Sequence, residues 1–448
     1  MSDPRRHPPG PPSGPAPVPP TLVLRGGRRL AGRVRVPGDK SISHRALLLG
    51  CLAHGTSTAR GLSDGEDVAR TARAVEALGG RVDGERIEGG AEALHQPSAP
   101  IDAGNSGTTM RLLAGVVAGF PWSVELFGDA SLSARPMDRI AEPLRRMGAE
   151  VTGTGVRCRP PLRVVGGALR GIDYTPPIAS AQVKSCVLLA GLRAEGETVV
   201  REPVATRAHT EELLARCGVD LSVTEEGGER VVRLHPSPVA PFHLDVPGDP
   251  SQAAFWVVAG CIVPESALTV EGVYVGATRR GFLDVLTRMG ASIEERATGT
   301  DASMAVADVA VRAGALVGTE IQAAEITGLD EVPVLAVAAA VAEGTTVFRG
   351  VGELRVKESD RFAAVVSMLR AFGAPATATG DDLIVTGGSR LSAATLDAGG
   401  DHRMAMAAAI AGLAADPSTG DTIVKGFDAV ATSYRGFVAD LDLLAGSR

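Results

Sequence analysis

Aromatic residues are scarce in this chain of 448 residues: 3% are Phe, Trp or Tyr, although 44% of the residues are hydrophobic. A core of this composition has to be built from Ala, Val and Leu, whose small side chains let helices pack closely. No tract combines basic with aromatic residues, and the formal net charge is −7. Both facts argue against a nucleic acid as the partner.

Cysteines are few and long apolar runs are missing. The five cysteines are scattered, and no spacing of Cys or His is typical of a zinc site. We therefore expect reduced thiols in a cytoplasmic protein without a metal. The longest apolar runs, such as 332–341, are too short to cross a bilayer. Residues 1–20 are rich in proline and lack the apolar segment of a signal peptide, so we expect a disordered tail there.

Lysine is the rarest charged residue, with four among the 45 basic residues. A compact, titratable ammonium can do chemistry that a guanidinium cannot. Lys40, Lys184 and Lys357 lie in segments of unusual composition and are candidates for a functional site. For Lys425 we expect an ordinary surface position.

A period of about 70 residues runs through the chain. Several amphipathic stretches end at a glycine that precedes an extended segment, as expected for a left-handed residue that ends a helix. The first three intervals between these glycines are 69, 70 and 72 residues, and the fourth is 83. The glycines are Gly79, Gly148, Gly218, Gly290 and Gly373.

A more apolar stretch precedes each amphipathic one, so the sequence predicts six helix pairs. A fixed period means that one supersecondary unit is used repeatedly. The predicted pairs are 41–54 with 66–79, 105–119 with 136–148, 180–194 with 207–218, 250–263 with 279–290, 332–343 with 357–373, and 402–415 with 434–445.

The segment Val-Pro-Gly-Asp occurs twice, at 36–39 and at 246–249, each time before an apolar helix. Pro-Gly suits a sharp change of direction. We interpret the two copies as crossings between two similar lobes. The first lobe is then 36–246, and the second is 247–448 together with a strand at 21–35. A solenoid is the alternative, but its repeats usually have about 20–50 residues.

The apolar helices are expected to be buried, so their first backbone N–H groups need polar partners. Small polar residues there are ordinary helix caps, and this alternative stays open for Asn105 and Ser251. Cations beside the positive end of a helix indicate a bound anion instead. The cations at or near the predicted helix starts are Lys40, Arg45, Arg111, Arg135, Arg207, Lys357, Arg361 and Arg403.

Two carboxylates lie among these cations. Asp330 stands before an abrupt change from polar to apolar residues, and Glu358 lies between Lys357 and Arg361. In a cationic cleft each is a candidate general acid or base. A helix cap for Asp330 and a surface ion pair for Glu358 remain the alternatives. Since nucleotide, serine-hydrolase and zinc-protease motifs are missing from the sequence, the residues predict a two-lobed enzyme for small anions, without a cofactor.

Six segments occur in order along the chain: Pro-Gly-Asp-Lys-Ser-Ile-Ser-His-Arg-Ala from 37, Gly-Asn-Ser-Gly-Thr-Thr-Met-Arg from 104, Ser-Ala-Arg-Pro from 133, Ser-Ala-Gln from 180, Leu-Arg-Val-Lys-Glu-Ser-Asp-Arg from 354, and Asp-His-Arg from 401. Together they resemble the EPSP synthases (3-phosphoshikimate 1-carboxyvinyltransferases) of the enolpyruvyl transferase family. The resemblance covers essentially everything after residue 20. It implies an α/β fold of two similar lobes, each made of three βαβαββ units, and we expect a monomer.

The resemblance also implies a reaction. The enolpyruvyl group of phosphoenolpyruvate passes to the 5-hydroxyl of shikimate 3-phosphate, phosphate is released, and the product serves chorismate and aromatic amino acid biosynthesis. Addition and elimination pass through a tetrahedral intermediate. Asp330 is implied as the base for the 5-hydroxyl, and Glu358 or Lys40 as the acid for the methylene carbon.

The resemblance assigns substrate contacts residue by residue. Shikimate 3-phosphate would contact Lys40, Ser41, Arg45, Ser180, Ala181, Gln182, Arg207, Asp330 and Lys357. Phosphoenolpyruvate would contact Lys40, Gly107, Arg135, Gln182, Arg361 and Arg403.

Some positions depart from the family or distinguish its members. Thr432 stands where some members have a lysine, which puts one phosphate contact in question. Gly107 is unsubstituted, and alanine there is associated with resistance to glyphosate, so the resemblance implies sensitivity. The sister enzyme, UDP-N-acetylglucosamine enolpyruvyl transferase, typically has a cysteine where this chain has Ala130. An inactive binding protein on the same scaffold is the alternative from another class, and Asp330 and Glu358 argue against it.

Overall fold

The structure is a computed structural model that describes residues 17–298 and 304–446. Most of the predicted tail lies outside these residues, but Val18 packs against a hydrophobic core and Phe427 N donates a hydrogen bond to Pro20 O (3.0 Å). The helices are α1 (Lys40–Leu52), α2 (Glu66–Ala77), α3 (Gly107–Ala118), α4 (Ala130–Ala134), α5 (Asp138–Met147), α6 (Ala181–Gly191), α7 (His209–Arg216), α8 (Pro250–Ile262), α9 (Gly281–Arg288), α10 (Val332–Val341), α11 (Arg361–Ala371), α12 (His402–Ala414) and α13 (Phe437–Ala445).

The strands are short and connect the helices. In chain order they are β1 (Thr21–Arg25), β2 (Ala31–Val34), β3 (Gly55–Arg60), β4 (Arg81–Asp83), β5 (Arg86–Gly89), β6 (Ile101–Asp102), β7 (Ser123–Phe127), β8 (Glu150–Thr154), β9 (Arg159–Val165), β10 (Leu169–Arg170), β11 (Asp173–Tyr174), β12 (Ala194–Glu195), β13 (Thr198–Glu202), β14 (Leu221–Glu226), β15 (Glu229–Leu234), β16 (His243–Asp245), β17 (Ala267–Tyr274), β18 (Ser292–Ala297), β19 (Val306–Arg312), β20 (Glu320–Gln322), β21 (Thr345–Arg349), β22 (Ala376–Thr379), β23 (Asp382–Thr386), β24 (Thr395–Asp397) and β25 (Asp421–Lys425).

The six predicted helix pairs are confirmed, with α4 as an additional short helix that the sequence did not predict. α11 begins four residues later than predicted, because the Asp360 side chain accepts a hydrogen bond from Ala363 N (3.0 Å) and so caps the helix there. The glycines predicted to end helices all have left-handed φ angles: 94° at Gly79, 111° at Gly148, 72° at Gly218, 94° at Gly290 and 86° at Gly373. A residue with a Cβ would be strained at these angles.

Five of the six units place their helix pair on a small four-stranded sheet of the same topology. In the second unit, β6 and β7 are parallel, and β9 then pairs antiparallel with both β7 and β8. Five such four-stranded sheets and one three-stranded sheet, β1-β25-β24, occur among the described residues. The repetition brings the apolar first helices of the units together, because each unit presents the same helix to its neighbours.

The buried apolar residues form two cores. One core gathers residues between 42 and 246, with Tyr274 and Met304 added from later in the chain. The other gathers residues between 22 and 36 and between 253 and 444. The chain passes between the two cores at the two Val-Pro-Gly-Asp segments.

The two Val-Pro-Gly-Asp segments lie side by side in antiparallel orientation. Asp39 N donates to Pro247 O (2.7 Å) and Asp249 N donates to Pro37 O (2.9 Å). Asp39 caps α1 by accepting from Ile42 N (2.9 Å). The Asp249 carboxylate accepts from Ser251 N (2.7 Å) at α8 and also from Lys40 N (3.2 Å) at α1. The two crossings therefore fix the starts of these two helices relative to each other.

A buried histidine, His209, faces these crossings from α7. Its ring lies 5.2 Å from the ring of Tyr274, and Nε2 lies 3.9 Å from the Asp39 carboxylate. Both ring nitrogens lack a hydrogen-bond partner among the described residues. Burial, with Arg45 and Arg279 nearby, holds the pKa of His209 well below its usual value. The ring is therefore neutral in the folded protein.

We expect His209 to make the protein less stable in acid. The unfolded chain takes up a proton at this residue below its ordinary pKa of 6.5, whereas the folded protein does not. The free energy of unfolding should therefore fall with pH below 6.5, by up to about 1.4 kcal/mol per pH unit from this group. Asp39 acts in the opposite sense below pH 6, because burial and the charge of Asp249 raise its pKa from 3.8 to about 6.

Urea unfolding at a series of pH values between 7 and 5 measures this slope. His209→Gln should make the slope shallower, while His54→Gln, at an exposed position, should leave it unchanged. Equal slopes for wild type and His209→Gln would show that His209 takes up its proton in the folded state.

Candidate active site

A cleft of about 540 Å³ lies between the two cores, and residues from both sides line it. The first helices of all six units begin at this cleft. Residues at or next to their starts that line it are Lys40, Gly107, Ala181, Ser251, Asp330 and Arg403. The positive ends of six helices therefore converge on one volume, which suits a ligand with several negative charges.

Most of the residues predicted for the site line this cleft. They are Lys40, Ser41, Arg45, Gly107, Arg135, Ser180, Ala181, Gln182, Arg207, Asp330, Lys357, Glu358 and Arg403. Arg361 is the exception: its side chain is 1% exposed and lies behind the carboxylates of Asp330 and Glu358.

Asp330 lies at the centre of the cationic residues. Its carboxylate accepts hydrogen bonds from Arg207 Nη2 (2.7 Å) and Arg361 Nη1 (3.2 Å), and Arg403 Nε lies 3.5 Å away. Glu331, not Asp330, occupies the cap position of α10, so the helix-cap alternative for Asp330 does not hold. The preceding residue, Leu329, has a left-handed φ of 60°, a strained conformation of the kind that concentrates at functional sites.

Burial alone would raise the pKa of Asp330. The charges of Arg403, Arg207, Lys357 and Arg361 outweigh it and hold the pKa well below its usual range. Asp330 is therefore ionised, and any anion that draws these cations away will raise its pKa.

Glu358 is bound by arginines from both sides of the cleft. Its carboxylate lies 2.5 Å from Arg361 Nη2 and 3.5 Å from Arg135 Nη1. Burial acts to raise the pKa of Glu358, but Arg361 and Arg135 outweigh it and hold the pKa well below its usual range. With 27% of its side chain exposed, Glu358 lines the cleft and is not an isolated surface ion pair.

Asp401 holds Arg361 in place from beneath. Its two carboxylate oxygens accept from Arg361 Nε (2.8 Å) and Nη2 (3.2 Å), a bidentate pair with both side chains fully buried. The same carboxylate caps α12 by accepting from Arg403 N (2.9 Å). Asp401 thereby positions both arginines that reach Asp330 from this half.

Lys40 contacts a carboxylate that the sequence did not single out. Its Nζ lies 2.9 Å from Asp67 Oδ2, in the first turn of α2. Acidic residues in a first turn are ordinary features of amphipathic helices, so no sequence signal marked Asp67. Across the cleft, Lys357 is half-buried, and desolvation lowers its pKa despite the carboxylates of Asp330 and Glu358.

The start of α3 forms a second cationic wall. Arg111 Nη1 donates to Gln182 Oε1 (2.6 Å), and Arg135 Nη2 donates to Asn105 Oδ1 (2.7 Å). A Cβ on Gly107 would lie 2.9 Å from Arg111 Nη1 and 3.2 Å from Arg135 Nη1. The absence of a side chain at this glycine therefore leaves room for both guanidinium groups at the cleft.

Arg45 is held more deeply than the other cations. It donates to Thr210 Oγ1 (2.6 Å), Ser185 Oγ (2.7 Å) and Ser41 O (2.8 Å), and only 3% of the residue is exposed. Burial lowers its pKa to about 10. Arg45 thus fixes the helix α1 that carries Lys40 and Ser41.

Ion pairs join the two sides of the cleft directly. Besides Arg207 with Asp330 and Arg135 with Glu358, Arg139 Nη1 donates to Glu353 Oε1 (2.9 Å). In each pair the arginine precedes residue 246 and the carboxylate follows residue 247. The cations of one half are therefore paired with the carboxylates of the other.

Two singled-out lysines lie away from the cleft. Lys184 is fully buried in the core, where Nζ donates to Glu202 and Glu211 (2.7 Å each). As predicted, Lys425 is exposed. Thr432 ends a 3₁₀ turn, Phe427–Thr432, and its carbonyl lies against Gly65 at the start of α2. The cation nearest to Thr432 along the chain is Arg435, which pairs with Glu66 (3.3 Å).

The described residues contain no cluster of three or more His, Cys, Asp or Glu side chains that would hold a metal ion. Within the same residues, no helix has the length and apolar character needed to cross a bilayer. All five cysteines are buried and free.

Known proteins resemble this chain over nearly its whole length. Residues 24–441 match the family EPSP synthase (3-phosphoshikimate 1-carboxyvinyltransferase). The 3-phosphoshikimate 1-carboxyvinyltransferase of Synechococcus sp. (strain JA-3-3Ab) is 47% identical over 431 residues, which cover 94% of this chain and 96% of that protein. That of Desulforudis audaxviator (strain MP104C) is 47% identical over 432 residues, which cover 95% and 99%.

Solved structures have the same fold. An EPSP synthase of Acinetobacter baumannii superposes with a TM-score of 0.83 at 38% identity, covering 95% of this chain and 98% of that one. The enolpyruvyl transferase NikO of Streptomyces tendae superposes with a TM-score of 0.75 at 22% identity, covering 96% and 98%, a likeness of fold alone. The predicted enolpyruvyl transferase fold is thus confirmed, and the chain belongs to the EPSP synthase family.

Proposed function

We propose that this protein transfers the enolpyruvyl group of phosphoenolpyruvate to the 5-hydroxyl of shikimate 3-phosphate and releases phosphate, as a step of chorismate and aromatic amino acid biosynthesis. The proposal rests on Asp330, which is ionised and lies among the cations of the cleft. It directly follows Leu329, whose backbone is strained. Both substrates carry a phosphate and a carboxylate, so the site has to bring two polyanions together. Several arginines and two lysines are suited to this task.

The two substrates are assigned to adjoining parts of the cleft, with Lys40 and Gln182 contacting both. Shikimate 3-phosphate binds the side formed by residues 36–246, through Lys40, Ser41, Arg45, Ser180, Ala181, Gln182 and Arg207, and also contacts Asp330 and Lys357. Phosphoenolpyruvate binds between Lys40, Gly107, Arg135, Gln182, Arg361 and Arg403. Since Arg361 is held by Asp401, it acts on phosphoenolpyruvate mainly through its charge and its hold on Asp330 and Glu358.

Asp330 accepts the proton of the 5-hydroxyl. Its low pKa would make it a weak base, but the phosphates of the substrates compete for Arg207 and Arg403 and thereby raise that pKa. The hydroxyl oxygen then adds to the central carbon of phosphoenolpyruvate while the methylene carbon takes a proton. Loss of a proton from that carbon and of phosphate completes the reaction.

Two groups are suited to protonate the methylene carbon. Lys40 offers an ammonium that a carboxylate, Asp67, holds in position. Glu358 can serve as an acid only when it is protonated. This requires that the charge of the substrates first weakens its ion pairs with Arg361 and Arg135. Both assignments are therefore retained, with Lys40 also binding both substrates.

The lobes, residues 36–246 and residues 21–35 with 247–448, are proposed to close over the substrates by motion at the two crossings. We further propose a monomer in the cytoplasm, where free buried thiols such as the five in this chain persist. Inhibition by glyphosate is proposed from the unsubstituted Gly107.

Asp330→Asn should lower kcat by about 10²–10⁴-fold, because an amide cannot accept the hydroxyl proton. KM for both substrates should not rise, since removing the carboxylate leaves Arg207 and Arg403 free for anions. Phosphate release from the two substrates measures both quantities. Asp360→Asn is the matched control, because asparagine also caps α11. Wild-type turnover by Asp330→Asn would show that another group is the base.

Gly107→Ala should raise KM for phosphoenolpyruvate by about 10- to 100-fold, the cost of one to two weakened charge-assisted hydrogen bonds. The added methyl group displaces the guanidinium ends of Arg111 and Arg135. KM for shikimate 3-phosphate should change much less. Gly314→Ala, where a Cβ meets no atom within 4 Å, is the control. An unchanged KM for phosphoenolpyruvate would place that substrate away from α3.

A further inference from the structure

Arg279 is a largely buried residue of the cleft lining, where the two crossings meet the start of α10. Its side chain is 2% exposed. Nη2 donates to Asp249 Oδ1 (3.2 Å) and to Ser251 Oγ (2.7 Å), and Nη1 donates to Glu331 Oε1 (3.1 Å). The Asp39 carboxylate lies 3.8 Å from Nη2.

The three carboxylates around Arg279 belong to three different helix starts. Asp39 caps α1, Asp249 caps α8, and Glu331 occupies the cap position of α10. Ser251 closes the arrangement by donating from Oγ to Glu331 Oε1 (2.5 Å). One guanidinium group therefore connects the first helix of one half to two helices of the other.

The helices joined in this way carry the proposed chemistry. Lys40 is the first residue of α1, and its backbone N–H is bound to Asp249. Asp330 directly precedes Glu331. A shift at Arg279 would therefore move the ammonium that binds both substrates relative to the base that takes the hydroxyl proton.

The charges around Arg279 require a fixed cation there. Burial alone would lower its pKa, but Glu331, Asp39, Asp249 and Asp330 outweigh it and raise the pKa above its usual value. His209 and Arg207 face the same region from the other half. A lysine would keep the charge but would lose the planar fork that reaches several acceptors at once.

We propose that Arg279 is a positioning residue, which sets Lys40 and Asp330 at their working separation by holding the three helix starts together across the hinge. This inference rests on the proposed function. Misplacing a reacting group by about 1 Å can lower the rate about 100-fold even when the substrates still bind. Arg279 should therefore affect kcat more than KM.

The neighbouring residue offers a matched control. Arg280 pairs with Asp284 (3.0 Å) and Glu295 (2.9 Å) within its own unit, and its side chain is 38% exposed. Arg280→Met also removes a guanidinium group, one position further along the chain, but it leaves the contacts at the hinge unchanged. Its kcat, KM values and melting temperature should remain close to those of wild type.

The experiment compares wild type, Arg279→Met, Arg279→Lys, Ser251→Ala and Arg280→Met by phosphate release, with circular dichroism to determine the folded fraction. Per folded molecule, kcat of Arg279→Met should fall about 10- to 100-fold, while both KM values change less than about threefold. Arg279→Lys should retain an intermediate kcat. Ser251→Ala, which removes the hydroxyl that accepts from Arg279 and donates to Glu331, should lower kcat several-fold and provides the test where Arg279→Met does not fold.

Three results would overturn the inference. Unchanged kcat per folded molecule in Arg279→Met or Ser251→Ala, with only a lower melting temperature, would make the cluster purely structural. A rise in KM that accounts for the whole loss would make Arg279 a binding residue. Equal losses of kcat in Arg279→Met and Arg280→Met would show that the loss does not depend on contacts at the hinge. If the wild type and Arg280→Met were both inactive, the result would instead contradict the proposed function, because both proteins retain Arg279.

Discussion

The concentration of positive charge at one cleft is the constraint on which the rest of this structure depends. Six helices direct their positive ends into it, and arginines and lysines from both halves surround it. Buried cations without partners are costly, so each has to be offset by a carboxylate or an anion. Asp330, Glu358 and Asp401 supply that offset from one half, and Asp67 supplies it from the other.

Two of these carboxylates, Asp330 and Glu358, are the ones to which we propose to assign the chemistry. Asp330 is ionised because cations surround it, and its basicity depends on how many of them the substrates draw away. The pairs that cross the cleft, such as Arg139 with Glu353, also tie the two halves together. We therefore propose that substrate binding and proton transfer are coupled through one set of ion pairs.

Much of the fold could be predicted because its signals are local. A glycine that ends a helix needs a left-handed angle wherever the helix packs, and the spacing of Gly79, Gly148 and Gly218 therefore revealed the repeat. The repeated Val-Pro-Gly-Asp segment is also a local signal, and it marked both crossings between the two cores. Residues at helix starts were found to line the cleft because the repeat directs equivalent helix ends to one place.

Other features could not be predicted because they depend on contacts between distant segments. Asp67 resembles any acidic residue in a first turn, and only the packing of α2 beside α1 brings it to Lys40. Lys184 follows a cleft segment, yet the turn of α6 directs it into the core. Arg279 and Arg280 are adjacent and chemically identical, and only the tertiary structure separates the hinge residue from the surface one.

We propose that the two anionic substrates share one set of cations, so the binding of one prepares the site for the other. The first substrate has to draw cations such as Arg207 away from Asp330, and the second then binds to a site already arranged. Calorimetric titration of phosphoenolpyruvate, with and without saturating shikimate 3-phosphate, measures this coupling directly. The account predicts an affinity higher by about 5- to 150-fold, or about 1–3 kcal/mol, with shikimate 3-phosphate bound. Equal affinities under the two conditions would contradict it.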